Sequence, residues 1–340
     1  MVTIKDIAKL AGVGIGTVSR VLNDNPEVRS ETREKVLSVI KEWNYIPNNS
    51  ARNLKRNNTN SIGLLVKGIF NPFFSEIVKI ISDKIDEKGY SVILHYNNDS
   101  YINDLELAVE LAKEKKLVGI ICLGGNFSDF NEEILDNLRI PMVLTSVYIE
   151  GVKFEDKFSS IGIENSKAAY KAVDYLCKLG HKKIGIISTD KTDTIVGPLR
   201  IKGYKRAIES NNLDFNESLI SKKGHYDFQS GYDAMNELLD NNEDITAVFA
   251  ISDIMAIGAI KAARARGYKI PEDISIMGMD GIDYGKYYEP ELTTILQPGY
   301  EMGRKSVDLL FDLLNNKSEH KHISLDTTLI ERESCIKINS

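Results

Sequence analysis

Two groups of residues in this 340-residue chain have types that recognition chemistry uses. The first is a mixed set: Phe73, Phe74, Ser146, Arg200, Tyr226, Ser252, Asp253, Asp280 and Gln297. Aromatic faces suit the C–H side of a sugar ring, and planar guanidinium or carboxylate groups can take two adjacent hydroxyls at once. Arg200 and Asp280 are the leading pair for that work. The second group lies in AGVGIGTVSRVLN, residues 11–23, where a backbone turn and an arginine stand close together. Catalytic chemistry has little to draw on. The five histidines (His95, His181, His225, His320, His322) are dispersed, and no G-x-S-x-G, H-E-x-x-H or Walker pattern occurs. His181 follows a helix-ending glycine, where a cation suits the helix dipole. His320 and His322 without further ligands make a poor metal site. The residues therefore point to binding without a cofactor or metal, and not to an enzyme. Cys122, Cys177 and Cys335 are too few and too scattered for a disulfide framework, and are expected as reduced thiols.

The elements that must carry the first group are legible after residue 60. Short apolar runs (SIGLLV, SVILHY, VGIICL, PMVLTS, KIGIIS, TAVFAI, ISIMGM) alternate with amphipathic stretches such as NPFFSEIVKIISDKIDEKG. In DEKGYSVIL, CKLGHKKIGII and RARGYKIPEDISIM a glycine falls between helix and strand, where a left-handed cap is needed. Strands of this kind, joined by helices, form parallel sheets. Residues 61–340 thus predict an α/β body long enough for two lobes. A ligand in such a body lies at the carboxyl ends of the strands, between the lobes, and the candidates sit there: Phe73 and Phe74 after the first run, Ser146 after PMVLT, Arg200 opening RIKGY, Tyr226 before DFQSG, Ser252 and Asp253 after TAVFAI, Asp280 after ISIMGM, Gln297 ending TTILQ. Three alternatives stay open: the phenylalanines could pack into the core behind Pro72, Asp253 could cap its helix, and Arg200 with Asp280 could be a structural ion pair. Thr194 and Val196 offer a nucleobase no firm donor set, so a sugar or sugar phosphate is favoured over a purine.

The first 46 residues carry no strand signal and predict three helices, about 4–10, 15–23 and 31–43. Thr3 with Asp6 reads as a capping pair, and Ser30 as the cap of the third helix. This head is basic, because residues 1–60 hold ten Lys/Arg against six Asp/Glu while the remaining 280 hold 33 against 43. Such a split suits a nucleic-acid module joined to a body with another task. A dinucleotide loop needs a strand before G-x-G-x-x-G; here the preceding TIKDIAKL is helical in spacing and the glycines fall as G-x-G-x-G. A helix-turn-helix fits better: Gly12 supplies the turn, Val13, Val18 and Val21 or Leu22 face a small core, and Ile15, Gly16, Ser19 and Arg20 line the outer face of the second helix, whose start enters the major groove. Residues 47–60, rich in asparagine and without apolar periodicity, read as a linker. No apolar run is long enough to span a membrane and the start lacks a signal-peptide core, which places the chain in the cytoplasm.

TIKDIAKLAGVGIGTVSRVLN, ETREKVLSVIKEWNYIPN and SARNLK, followed by IGLLVKGIFNPFFSEIV, LGHKKIGII, RIKGYKRAI, AVFAISDIMAIGAIKAARARGYKIPEDISIMGMDG and PELTTILQP, resemble the lactose-repressor/galactose-repressor (LacI/GalR) family of bacterial transcription regulators along the whole chain. The resemblance implies an all-α helix-turn-helix DNA-binding head (1–46), a hinge (47–60) that becomes helical on DNA, and a two-lobed α/β body of the type I periplasmic-binding-protein kind (61–340). The lobes would cover about 61–160 with 293–320, and about 161–292 with 321–340. It implies base contacts from Ile15, Gly16 and Arg20, phosphate contacts from Thr17, Ser19 and Asn23, and a hinge of Ala51, Leu54 and Lys55 with Leu54 wedging into the minor groove. Arginine at position 20 suits a bidentate contact to guanine. Glycine stands at 14 and 16, where the family usually has serine and a side chain, so Gly16 reads no base by side chain. The implied partners are a near-palindromic double-stranded operator, a small effector of sugar type, and a second copy of the chain, with a protein co-regulator as the alternative to the small effector. A sugar-transport protein of the same two-lobed body would need an export signal and no basic head. No heptad tail follows the body, which favours a dimer over a tetramer.

Overall fold

The computed structural model describes residues 2–22, 25–45, 60–68, 71–97, 103–127, 131–149, 151 and 153–338. The chain divides into two compact units, Met1–Thr59 and Asn60–Ser340.

Among its described residues the head has three helices: α1 Ile4–Leu10, α2 Ile15–Leu22 and α3 Ser30–Glu42. Its start is fixed by the expected capping pair, since Thr3 Oγ1 accepts from the Asp6 backbone and Asp6 Oδ2 accepts from the Thr3 backbone N–H at 2.9 Å. Gly12 takes φ +63° between α1 and α2, a left-handed conformation that glycine adopts without a Cβ penalty. Ile7, Ala8, Ala11, Val18, Val21 and Val36 form the core under the turn, with Val13 and Leu22 packed at its edge. Ser30 does not cap α3. It is already inside the helix, Arg29 holds the cap position, and no side chain bonds the first turn there.

The body contains two six-stranded sheets. The first uses β1 Ser61–Lys67, β2 Ser91–Asn97, β3 Gly119–Leu123, β4 Met142–Thr145, β5 Ser159–Ile163 and β11 His322–Leu325, in the order β2-β1-β3-β4-β5-β11 and parallel throughout. Its helices are α4 Pro72–Glu87, α5 Asp104–Lys115 and α6 Glu132–Asn137, with α11 Gly299–Leu314 packed beside α4. The second uses β6 Ile184–Thr189, β7 Ile220–Gly224, β8 Ala247–Ala250, β9 Ser275–Asp280, β10 Thr293–Leu296 and β12 Thr328–Ile330, in the order β7-β6-β8-β9-β10-β12, with only β12 antiparallel. Its helices are α7 Asn165–Lys178, α8 Val196–Ser210, α9 Phe228–Asn241 and α10 Asp253–Ala265. The central strands β1, β3, β4, β6, β8 and β9 are buried almost end to end, as expected of strands covered by helices on both faces.

The chain passes between the lobes three times, and the passages lie a few residues from where the sequence suggests. β5 pairs with β4 and so keeps residues up to 163 in the first lobe; β10 pairs with β9 and keeps 293–296 in the second. β11 pairs with β5, so 322–325 belong to the first lobe, and β12 returns the chain to the second. Strand pairing, which composition does not encode, sets these borders.

Candidate ligand cleft and nucleic-acid interface

Both sheets aim their carboxyl ends at one cavity of about 380 Å³. From the first lobe it is lined by Lys67 at the end of β1, Asn71, Phe73 and Phe74 at the start of α4, Asn97 ending β2, Asn126 after β3 and Ser146 after β4. From the second come Thr189, Asp193, Val196 and Arg200, then His225, Tyr226 and Asp227 between β7 and α9, then Asp280 and Gln297. Seven expected residues are thus brought together: Phe73, Phe74, Ser146, Arg200, Tyr226, Asp280 and Gln297.

The backbone shapes this wall at two strand ends. Ser146 has φ +60° and Asp280 φ +127°, conformations that non-glycine residues adopt rarely and that cluster at functional sites. Asp280 is buried, and its carboxylate accepts from Gln297 Nε2 at 2.7 Å and from Asn71 Nδ2, across the cleft, at 3.5 Å. Burial pushes its carboxyl well above the ordinary range, while the Arg200 charge pulls the other way. Arg200, also buried, donates Nε to Asn165 Oδ1 at 2.9 Å and Nη1 to the Ile251 carbonyl. Among the described residues no ion pair joins Arg200 to Asp280. The guanidinium is oriented by neutral acceptors, and Arg200 and Asp280 both line the cavity.

Phe73 is in the core and at the cavity together, and its ring lies 5.5 Å from that of Phe74. Pro72 opens α4 and Asn71 caps it, accepting from Phe73 N at 3.1 Å. Tyr226 donates its hydroxyl to Asp193 Oδ2 at 2.8 Å. Burial, then the Asp193 charge, hold that phenol well above its usual value.

Ser252 and Asp253 stand elsewhere. Ser252 caps α10, accepting from Met255 N, and Asp253 is fully buried beneath the loop after β9. Asp253 Oδ2 accepts from Gly281 N at 2.7 Å and Ile282 N at 2.8 Å, and Oδ1 from the Thr294 hydroxyl at 2.5 Å. These bonds hold the loop that carries Asp280. The carboxylate therefore supports the cavity and is not one of its lining residues.

Residue types alone did not single out Asn71, Lys67 or Asp193. Lys67 pairs at 2.9 Å with the buried Asp104, which also accepts from Asn97 and from the backbone of Asn126. Asp193 gathers the backbone N–H groups of Ile195, Val196 and Gly197 at the start of α8, at 3.2, 2.9 and 2.9 Å. The available signal was a capping residue just after an apolar run, in TDKTD before VGPLR and in GIFN before PFF.

The remaining singled-out groups are structural. His181 is buried between Thr246 and the Ile336 carbonyl, and burial lowers its pKa, so the expected cation at that helix end is not favoured. His320 and His322 bond Ser159 and Ser160 at 3.1 and 2.8 Å. Cys122, Cys177 and Cys335 are free thiols, and among the described residues no group of three His, Cys, Asp or Glu is placed to hold a metal. No described helix is long and apolar enough to cross a membrane.

In the head, α2 presents Ile15, Gly16 and Arg20 outward while Val18 and Val21 are buried; Thr17 and Ser19 are half-buried at the flanks. The Gly14 carbonyl accepts from Thr17 N and Val18 N at 2.9 and 3.2 Å, so the helix starts without a side-chain cap. Nothing lies within 4 Å of where a side chain at Gly14 or Gly16 would begin. Asn23 and the hinge residues Ala51, Leu54 and Lys55 lie outside the described residues.

A helix-turn-helix head on a two-lobed ligand-binding body defines a class, the DNA-binding regulator with its own sensor domain. Comparison with known proteins agrees. Residues 3–48 match the family model for bacterial regulatory proteins of the lacI family, and residues 173–335 that for a periplasmic binding protein-like domain. The chain is 51% identical to the HTH-type transcriptional regulator MalR of Clostridium butyricum, over 98% of this chain and 99% of that one. It is 36% identical to the HTH-type transcriptional repressor PurR of Pasteurella multocida, over 98% of each. Among solved structures it resembles a complex of the transcriptional regulator CelR with cellobiose (TM-score 0.73, 32% identity, 98% of this chain and 100% of that one). It also resembles the lac repressor dimer bound to operator and the anti-inducer ONPF (TM-score 0.76, 26% identity, 98% and 99%). The chain belongs to the lacI family of bacterial regulatory proteins and is a DNA-binding transcriptional regulator, not an enzyme.

Proposed function

We propose that this regulator binds a sugar in the cleft between its lobes and that the sugar alters its affinity for an operator. The observation that carries the reading is the buried Arg200 and Asp280, held apart by other partners and both open to one cavity that Phe73 and Phe74 also line. A sugar ring needs that combination of directional polar groups and aromatic faces. The bound cellobiose of the CelR complex supports the same ligand class. Ser146, Tyr226 and Gln297 complete the proposed contacts, and Ser252 and Asp253 are left out of them.

The DNA reading assigns base contacts to Ile15 and Arg20, with the Gly16 backbone packed close to the groove, and phosphate contacts to Thr17, Ser19 and Asn23. Two copies place two heads about one helical turn apart on a near-palindromic operator. The reading also assigns Ala51, Leu54 and Lys55 to a hinge that contacts DNA between them, with Leu54 in the minor groove. The lac repressor dimer on its operator supports this arrangement. A protein that works on bacterial DNA works in the cytoplasm.

The test is a thermal-shift screen of the full chain against sugars, sugar phosphates and purines, repeated with Asp280→Ala. A ligand at 100 times its Kd stabilises by about 2.7 kcal/mol. A sugar hit lost in the variant is the expected result. A hit that survives in Asp280→Ala overturns the site, and silence across the panel moves the regulation to a protein co-regulator.

A further inference from the structure

Arg20 stands in the last turn of α2, where a helix is least well held. The last four carbonyls of an α-helix have no partner inside it, and the carbonyl of Arg20 is one of those four. Such ends fray. A bidentate contact to a guanine edge tolerates little of that freedom, because both hydrogen bonds depend on the plane and position of the guanidinium. If Arg20 reads a base, the assignment on which this step rests, the end of α2 has to be fixed by something else in the head.

Apolar packing does part of that work. Val18 and Val21 of α2 are buried, while Leu22 packs only at the edge of a small core. Past Leu22 polar contacts converge on Asn25. Its N–H donates to the Arg20 carbonyl at 3.0 Å, and its side-chain Oδ1 accepts from Glu27 N at 2.9 Å. Pro26 follows and disfavours a helical conformation at Asn25, so α2 cannot simply run on. The Asn25 carbonyl then accepts Nη2 of Arg33 at 2.6 Å, a bond that comes from the third helix. Arg33 is half-buried, and Val36 one turn along α3 lies in the core, so the donor stands on an anchored element. A charged donor of this kind makes a bond roughly twice as strong as a neutral one. Two bonds thus run from Arg33 to the backbone of Arg20, through one residue.

We infer that Arg33 is a positioning residue for base recognition: it anchors Asn25, and Asn25 holds the end of α2 so that Arg20 presents its guanidinium in one orientation. Arg33 sets specificity at the base that Arg20 reads without touching that base. An arginine on a DNA-binding head could instead hold a phosphate or merely stabilise the fold, and these roles differ in what their loss does. Losing a phosphate contact weakens binding to all sequences alike and lowers the salt slope by about one. Losing stability weakens all sequences alike as well. Losing a positioning contact weakens the preference at one base.

The experiment is selection of bound duplexes from a random pool by the full parent chain, by Arg20→Ala and by Arg33→Met, with the recovered sequences read position by position. Methionine keeps an unbranched apolar stem and removes the donor. Arg20→Ala should lower the base preference at one position of each half-site by at least about fivefold, and Arg33→Met should lower it at that same position while the other positions keep theirs. On one random duplex the salt dependence of affinity should be the same for Arg33→Met as for the parent. A weakening spread evenly over all positions, or a salt slope lower by about one, overturns the inference and leaves Arg33 a phosphate contact or a stabiliser of the head. A preference retained in Arg33→Met at the position that Arg20→Ala loses overturns it too. A profile unchanged in Arg20→Ala instead overturns the base-reading role of Arg20 itself. If Arg33→Met does not fold, Arg33→Gln takes its place, because that side chain stays polar but is too short to reach the Asn25 carbonyl. The same loss at one position is expected of it, and a profile identical to the parent's rejects the inference.

Discussion

A carboxylate with little water around it holds its proton, and Asp280 is such a group, buried at a strand end with φ +127°. Its folded-state pKa is raised, from 3.8 to about 7, with burial the main cause. The folded chain therefore binds more protons than the unfolded chain across that window, and stability contributed by the protonated acid is lost as pH rises through it. Asp280→Asn keeps the polar group without the charge and suits the positive φ better. Its melting temperature should exceed that of the parent chain at about pH 8, by roughly 2–4 °C for each kcal/mol relieved, and should match it near pH 4. Melts across that range check the sign, and a gap that does not widen with pH removes the buried charge from the account. Arg20 is the opposite case, an exposed cation on α2 with a DNA contact to make. Arg20→Ala should weaken binding to the cognate operator by about 1–3 kcal/mol, roughly 5- to 150-fold, and binding to random DNA far less. Fluorescence anisotropy on both duplexes separates the two, and equal losses would show a phosphate contact only.

Among the elements, glycine takes two opposite parts. Gly231 on α9 faces the Met255 carbonyl of α10, and Gly258 on α10 faces the Phe228 carbonyl of α9, so each helix sits in the groove the other's missing side chain leaves. Gly231→Ala forces these helices apart and should cost about 1–3 kcal/mol in chemical denaturation. Gly16 on α2 has open space around it, so Gly16→Ala should stabilise the head by about 0.5–1 kcal/mol through helix propensity alone. Amide exchange of the head reads that gain, while any loss of operator affinity in the same variant reports how closely the backbone approaches DNA. Seven of the twelve described strands were legible as apolar runs: six are buried almost end to end, and the seventh, β2, lies at the sheet edge with an apolar SVIL start. The others were harder for physical reasons: β7, ISKKG, exposes two consecutive lysines and so has neither an apolar run nor a clean alternation, β10 through β12 are three or four residues long, and β5 follows a loop with no turn signature strong enough to mark it. The cleft was legible in the same uneven way. Position after a strand found seven of its residues, but it also selected Ser252 and Asp253, because a cap that faces inward and a ligand that faces the cavity have the same sequence signature. Asp193 and Asn71 show the reverse, since each caps a helix and lines the cleft together.

Across the whole body, the lobes are joined by three chain passages and meet again over the cavity through side chains. The Thr194 hydroxyl of the second lobe donates to Asn126 Oδ1 of the first at 2.8 Å, and Asn71 reaches Asp280 from the other direction. These bonds exist only while the lobes enclose the cavity, so they favour the arrangement in which a ligand is gripped from both sides. A bond of this kind contributes about 0.5–1.5 kcal/mol. Thr194→Val keeps the shape of the side chain and removes the donor, which lowers the fraction of molecules poised for ligand. Apparent affinity follows that fraction directly, so the Kd for the sugar should rise by roughly 2- to 12-fold. Linkage then fixes a second result. Whatever factor the sugar applies to operator binding, the operator applies to sugar binding, and the variant must show the same factor measured in either direction. If Thr194→Val weakens the sugar and shifts the operator affinity of the sugar-free protein as well, the bond lies on the path that couples cleft to DNA. A changed sugar affinity with an unmoved operator affinity would mean that the two lobe arrangements serve ligand capture alone, and that the coupling runs through the chain passages instead.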